Sequence, residues 1–116
     1  MKQIAVMALA VLFIAGCAKP VPAEKLSYVG EWQQRTMYLL ITADGSVRYK
    51  RLKAGVTTTI EGPLREFRGN DFVVGVWPML ATFEVTETPH REGGAWVMVV
   101  DGVRLIRTAD PDGHEI

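Results

Sequence analysis

Between residues 27 and 108, apolar and polar positions alternate with the two-residue period of β-strands. No window in this region places apolar residues at the three-and-four spacing of an amphipathic helix over three turns. Short β-branched and aromatic runs recur between turns that contain glycine. The pattern predicts an all-β fold, a small antiparallel meander of about eight strands that forms a barrel or a sandwich.

Turn residues mark where these runs end. The pairs Asp44-Gly45 and Asp101-Gly102 predict tight hairpins, because both residue types accept the positive φ angles that such turns require. Pro63 lacks a backbone N–H, so we expect a bulge, a bend or a sheet edge at that position. The strands predicted in this way cover residues 32–42, 46–52, 56–61, 64–68, 72–77, 80–86, 95–100 and 103–107, with a long polar connection at residues 89–94.

The start of the chain follows a different pattern. Lys2 supplies a positive charge, residues 4–15 form an uninterrupted apolar run, and Gly16-Cys17 follows at once. This run is too short to cross about 30 Å of hydrocarbon, which takes about 20 helical residues. It therefore predicts an export signal peptide. We expect four segments: a signal peptide (1–16), the modified cysteine with a flexible polar tether (17–27), a β domain (28–108) and a polar tail (109–116).

The residues before the cysteine, Ile14-Ala15-Gly16-Cys17, resemble the lipobox of bacterial lipoproteins. The resemblance implies cleavage before Cys17 by signal peptidase II and attachment of acyl chains such as palmitate to Cys17, and several acyl chains give stable anchoring. Ala18 resembles the residue found after the cysteine in outer-membrane cargo. The chain would then be anchored in the outer membrane and face the periplasm. The alternative is an apolar N-terminal element whose free cysteine packs in the core.

Charge and chemistry narrow the classes of function. The chain carries 13 basic and 13 acidic side chains, which leaves no basic face of the kind that nucleic-acid binding needs. Its two histidines, His90 and His114, fall in a polar connection and in the tail, and no Cys/His spacing indicates a metal site. A hydrolase that uses strand carboxylates such as Glu84 and Glu87 would need them buried in a cleft. We expect a protein that is not an enzyme and has no metal or cofactor.

Two kinds of surface are candidates for binding. Residues 72–77 are apolar on both faces of their strand, so this strand is either central in the sheet or carries a contact patch. A glycine at position 75 favours close approach of another backbone or of a ligand. The basic side chains of residues 48–68 form either an ordinary solvated face or a contact for anionic lipid. The candidate binding residues are Trp32, Val73, Gly75, Trp77 and Trp96.

Gly30-Glu31-Trp32, at the start of the first strand, resembles the Gly-x-Trp opening of lipocalin-like proteins. The resemblance implies an up-and-down barrel closed at one end by Trp32, with Arg104 or Arg107 of the last strand packed across the indole. It also implies a carrier of an apolar small molecule. The leading prediction is a lipid-anchored module that binds an envelope protein or another envelope component, and the lipocalin-like carrier is the alternative.

Overall fold

The computed structural model describes residues 19–109. The predicted signal peptide, the lipobox residues Ile14, Ala15 and Gly16, the lipidation site Cys17 and the tail beyond residue 109 lie outside the described residues. None of the helical structure in the described part of the chain is long and apolar enough to cross a membrane.

The described chain folds into an antiparallel β-sheet preceded by a 3₁₀ helix, so the all-β prediction is confirmed. The 3₁₀ helix covers Ala23–Tyr28. The strands are β1 (Gly30–Gln34), β2 (Met37–Ile41), β3 (Ser46–Lys53), β4 (Val56–Arg68), β5 (Asp71–Val76), β6 (Met79–Phe83), β7 (Val85–Glu92), β8 (Ala95–Val100) and β9 (Val103–Ala109).

The strand order across the sheet is β6-β5-β4-β3-β2-β1-β9-β8-β7. The sheet is curled into a half-barrel, and its two edge strands, β6 and β7, are consecutive in the chain. Glu84 alone separates them. We call Phe83-Glu84-Val85 the edge link, because a covalent connection joins the two edges of the sheet there.

Two aspartates bind the backbone of the edge link. The Val85 N–H donates to Asp71 Oδ1 at 2.8 Å, and the Glu84 N–H donates to Asp101 Oδ1 at 2.8 Å. The Asp101 N–H in turn donates to the Glu84 carbonyl oxygen at 2.8 Å. These bonds supply partners for backbone groups at the point where the chain passes from one edge strand to the other.

The concave face of the sheet encloses one contiguous core. Trp32, Leu39, Phe72 and Leu105 are fully buried in it, and they come from four different strands. Phe72 and Phe83 stack with ring centroids 5.0 Å apart. Because each strand directs alternate residues inward, the two-residue pattern of the sequence accounts for this core.

Residues before the first strand are also part of the fold. Val21 is buried, and its N–H donates to the Ala43 carbonyl oxygen at 3.0 Å. The Tyr28 hydroxyl donates to the Asn70 carbonyl oxygen at 2.8 Å, and Lys25 Nζ donates to the Gly69 carbonyl oxygen at 2.8 Å. The structure thus differs from the flexible tether expected over residues 17–27, since an apolar side chain and a two-turn 3₁₀ helix anchor residues 21–27 to the sheet.

Two predicted strand boundaries are wrong in the first half of the domain. Residues 32–42 form a hairpin, with a two-residue turn at Arg35-Thr36 between β1 and β2, rather than one strand. Residues 56–68 form the single strand β4, which continues through Pro63 and has an irregular register between Leu64 and Glu66. The half-buried pattern expected at residues 56–61 is absent from 56–59, where both faces of the strand stay exposed. Among the described strands, only β3 pairs with this part of β4.

Two more boundaries differ near the edge strands. Residues 80–86 do not form one strand, because the chain leaves β6 at Phe83 and begins β7 at Val85. Residues 89–94 are not a loop: β7 continues to Glu92, and the turn is confined to Gly93-Gly94. The polar side chains of β7 lie on the exposed surface of an edge strand, which gives this strand the composition of a loop.

Candidate functional site

The five residues predicted to form a binding surface lie in different environments. Trp32 is fully buried and Val73 is 1% exposed, so neither offers contact area to a partner. Trp96 is half-buried beside the core. Gly75 and Trp77 lie at the end of β5 and in the turn that follows it. Only this last pair belongs to an exposed apolar surface.

Trp32 and Trp96 are linked through one arginine. The guanidinium carbon of Arg107 lies 5.8 Å from the Trp32 ring centroid and 5.0 Å from that of Trp96. Arg91 approaches the Trp96 ring at 6.0 Å. The Trp32 indole N–H donates to the Tyr28 carbonyl oxygen at 2.9 Å, which fixes the 3₁₀ helix to the sheet. Of the two arginines expected to pack across Trp32, Arg107 makes this contact.

The turn between β5 and β6 exposes a group of large apolar side chains. Trp77 is 72% exposed and Met79 is 80% exposed, and Val76 and Leu80 flank them at 54% and 37%. The Trp77–Pro78 peptide bond is cis. We call Val76, Trp77, Met79 and Leu80 the apolar turn. Large apolar side chains exposed together in this way are typical of contact sites.

Gly75 lets the two strands of this hairpin approach closely. Its φ angle is +119°, and a Cβ atom built on it would lie 2.2 Å from the Met79 carbonyl oxygen. A side chain at position 75 would therefore force the hairpin apart. The close approach predicted at this glycine is made by the backbone of the same hairpin, so Gly75 shapes the apolar turn.

A surface pocket of about 230 Å³ lies beside the apolar turn. It is lined by Lys19, Arg65, Glu66, Gly75 and Val76, and therefore brings the first described residue of the chain next to the start of the turn. Arg68 forms an ion pair with Glu66. Within residues 19–109 neither Lys19 nor Arg65 forms such a pair, so the pocket has a positively charged rim.

The hairpin of β3 and β4 carries a second exposed tip. Leu52 is 48% exposed and Val56 is 63% exposed at its end. Arg48 and Lys50 point to the outer, solvated side, and Arg48 Nε lies 3.5 Å from Glu61 Oε2. Most of the basic stretch predicted at residues 48–68 is thus a solvated face.

His90 lies in a charge network on the exposed side of β7. Its Nδ1 lies 2.8 Å from the Thr88 carbonyl oxygen, and its Nε2 lies 2.9 Å from Glu92 Oε2 and 3.9 Å from Glu87 Oε1. A carbonyl oxygen only accepts, so the contact with Thr88 requires a proton on Nδ1, and the carboxylates beside Nε2 favour a second proton on the ring. The hydrogen bond to Thr88, followed by the bond to Glu92, raises the pKa of His90 above its usual value.

The same three side chains are the group within residues 19–109 that comes closest to a metal site. One ligand atom from each of Glu87, His90 and Glu92 lies within 4.8 Å of the others. Arg104 Nη2 donates to Glu92 Oε1 at 3.0 Å. Hydrogen bonds from His90 and then from Arg104 lower the pKa of Glu92 below its usual value. Cationic partners within the protein therefore account for the clustering of the carboxylates.

Tyr38, a half-buried residue of β2, is another group whose pKa is shifted. The Tyr38 hydroxyl donates to Glu31 Oε2 at 2.7 Å. Partial burial, and then this hydrogen bond and the charge of Glu31, raise the pKa of Tyr38 to about 12. The tyrosine therefore stays protonated at neutral pH and acts as a hydrogen-bond donor rather than as a base.

Comparison with family models, curated proteins and solved structures finds no match for this chain. Sequence reasoning had singled out Trp77 and had placed Arg65 in the basic stretch of residues 48–68, but it missed Met79 and Leu80 on the same turn and Lys19 beside it. The signal for Met79 is the pair Trp77-Pro78, which ends a strand and is followed at once by further apolar residues.

Proposed function

We propose that this chain is a lipid-anchored binding module of the bacterial envelope, held by acyl chains on Cys17 and facing the periplasm from the outer membrane. The β domain acts by contact rather than by catalysis, and the apolar turn is its contact surface. The observation that carries the proposal is the exposure of Trp77 and Met79 at the end of a hairpin whose strands are buried further along, at Val73, Val74 and Phe83. The lipobox resemblance at residues 14–17 supports the anchor.

The geometry around the titratable groups supports a binding role. Catalysis by a histidine needs a base placed beside a nucleophile or an orienting group in a cleft. His90 instead lies on an exposed strand, where carboxylates from its own strand surround it.

The lipocalin-like carrier is supported by the packing of Arg107 against Trp32. A carrier also needs an interior cavity, and ordinary ligand pockets begin at about 300 Å³. The concave face is filled by a contiguous cluster that includes Trp32, Phe72 and Met98, each fully buried. The pocket of about 230 Å³ lies among exposed side chains outside this cluster. A surface contact therefore fits the described residues better than a carrier does.

Radiolabelled palmitate tests the anchor in bacteria that express the full chain. We expect wild-type protein to incorporate the label and to fractionate with membranes. Cys17→Ala should accumulate as unprocessed precursor without label, because no other cysteine is present. Label on Cys17→Ala, or no label on the wild type, would refute the anchor. Val56→Cys in the Cys17→Ala background is a matched control that restores a thiol without restoring the lipobox.

A further inference from the structure

We infer that the apolar turn inserts Trp77 and Met79 into the interface of the same bilayer that holds the acyl chains of Cys17. The inference rests on the proposed function, and it names the component that the turn contacts. It makes the anchored domain a barrel attached to the membrane at two places, one covalent and one apolar.

The anchor at Cys17 would lie only a short distance from the β domain. Lys19 packs against the turn between β2 and β3, because its carbonyl oxygen would clash with a Cβ atom at position 45. Two residues of chain, from Cys17 to Lys19, span at most about 7 Å. The headgroup layer of one leaflet is of similar thickness, about 5–7 Å. An acylated Cys17 would therefore hold this side of the barrel against the headgroups.

The apolar turn begins on the side of the β domain where Lys19 packs. Lys19 and Val76 line the same surface pocket, so the turn begins where the anchored segment meets the sheet. Trp77 follows Val76 directly, and both Trp77 and Met79 are largely exposed. The exposed apolar turn thus begins beside the segment that the anchor would hold.

The side chains of the apolar turn and of the pocket beside it suit the interface of a bilayer. Tryptophan favours the boundary between hydrocarbon and water, because its ring is apolar and its N–H can still find a polar partner. Lys19 and Arg65 place positive charge at the rim of the adjoining pocket, whereas Glu66 is paired with Arg68. Positive charge beside an apolar insertion matches a bilayer that contains anionic lipid.

A protein partner or a second copy of the chain fits this surface less well. The short span from Cys17 leaves only the depth of the headgroups between this side of the barrel and the membrane. A folded partner would have to occupy that space.

The exposed tip of β3 and β4 provides a comparison, because Val56 lies nine residues from Arg65 along β4, about 30 Å at 3.3 Å per residue. It is exposed and apolar but far from the anchored segment.

Tryptophan quenching by brominated lipid tests the inference with the full acylated chain. The protein is reconstituted into vesicles of dibrominated phosphatidylcholine that also contain phosphatidylglycerol, and its emission is compared with that in unbrominated vesicles. Trp77 is one of three tryptophans, and Trp32 is buried. We expect the wild type to lose the part of its emission that comes from Trp77, since that indole is the inserted one.

The variants assign this loss to the apolar turn. Trp77→Phe should lose almost no emission on bromination, and Met79→Asp should reduce the quenching of Trp77 several-fold, because a carboxylate resists transfer into the interface. Val56→Asp, the matched control at the distant tip, should be quenched like the wild type. Equal quenching of wild type and Trp77→Phe would overturn the inference, as would loss of quenching in Val56→Asp.

Mass spectrometry of the same samples separates the two proposals. An acylated Cys17 with no quenching of Trp77 would overturn the membrane contact and leave the anchor standing. A wild-type chain without acylation would overturn the anchor itself. In cells, a photoreactive Trp77→benzoylphenylalanine variant should cross-link to lipid, whereas cross-linking to a protein or to a second copy would overturn the bilayer as the occupant.

Discussion

Replacing Asp71 tests how the two edges of the sheet are held together. The Asp71 carboxylate accepts the N–H of Val85 at 2.8 Å, and Val85 is 4% exposed. Asp71→Ala leaves this buried donor without a partner, which costs about 2 kcal/mol of the free energy of unfolding, within the usual range for an orphaned group. Since each kcal/mol moves the Tm of a domain of this size by about 4–8 °C, the expected loss is about 8–16 °C.

Two variants separate the hydrogen bond from other effects. Asp71→Asn keeps an acceptor oxygen but removes the charge, so we expect it to lose roughly half as much stability as Asp71→Ala. Glu84→Gln is the matched control, because it changes an exposed side chain of the edge link and should stay within about 0.5 kcal/mol of the wild type. Thermal and urea unfolding followed by circular dichroism measure all three variants.

Amide hydrogen exchange at Val85 adds a local measurement. We expect the Val85 amide to be protected in the wild type and to exchange faster in Asp71→Ala, while amides in the β2–β3 ladder keep their relative protection. The reasoning fails if Asp71→Ala unfolds at the wild-type temperature with Val85 still protected. It also fails if Asp71→Asn is as unstable as Asp71→Ala, because an acceptor at this position would then contribute nothing.

Two titrations test the electrostatics of the outer surface. Tyr38 should ionise at a pKa of about 12 in an alkaline absorbance titration. Glu31→Gln should bring that pKa closer to 10, although burial keeps it above this value. An unchanged pKa would contradict the role of the Glu31 hydrogen bond. His90 should titrate by NMR above 6.5, and Glu92→Gln should lower that pKa. Because the folded pKa of His90 exceeds the unfolded one, its pairing with Glu92 stabilises the fold below about pH 6.5 and ceases to do so as the pH rises through the folded pKa; a folded pKa at or below 6.5 would refute this.

Local turn chemistry explains which elements were predictable. Asp44-Gly45 and Asp101-Gly102 both form turns between paired strands, because the backbone conformation they favour depends on those residues alone. The turn at Arg35-Thr36 contains neither glycine nor asparagine, so nothing in its composition separates β1 from β2. Its position is set by packing, which places Trp32 opposite Leu39.

The candidate site depended on partners that the sequence does not reveal. Apolar residues on both faces of 72–77 predicted either a central strand or a contact patch, and this segment is buried at its start and exposed at its end. Val73 and Val74 are buried between β4 and β6, whereas Trp77 lies beyond those ladders and stays exposed. The contact of Lys19 with the same region arises from tertiary packing before β1, where the polar sequence favoured a tether.

The ladder between β1 and β9 has a consequence for the order in which the sheet can form. Within residues 19–109 the other ladders join strands that are consecutive in the chain, whereas this ladder joins the first strand to the last. It pairs Trp32 with Arg107, which are 75 residues apart in the sequence. Closing a loop of that length costs about 4 kcal/mol of chain entropy. A chain exported from its N-terminus would reach the periplasm with β1 unable to pair with β9 until the final strand had been delivered. The hairpins could fold during export, but the sheet would be completed only after it.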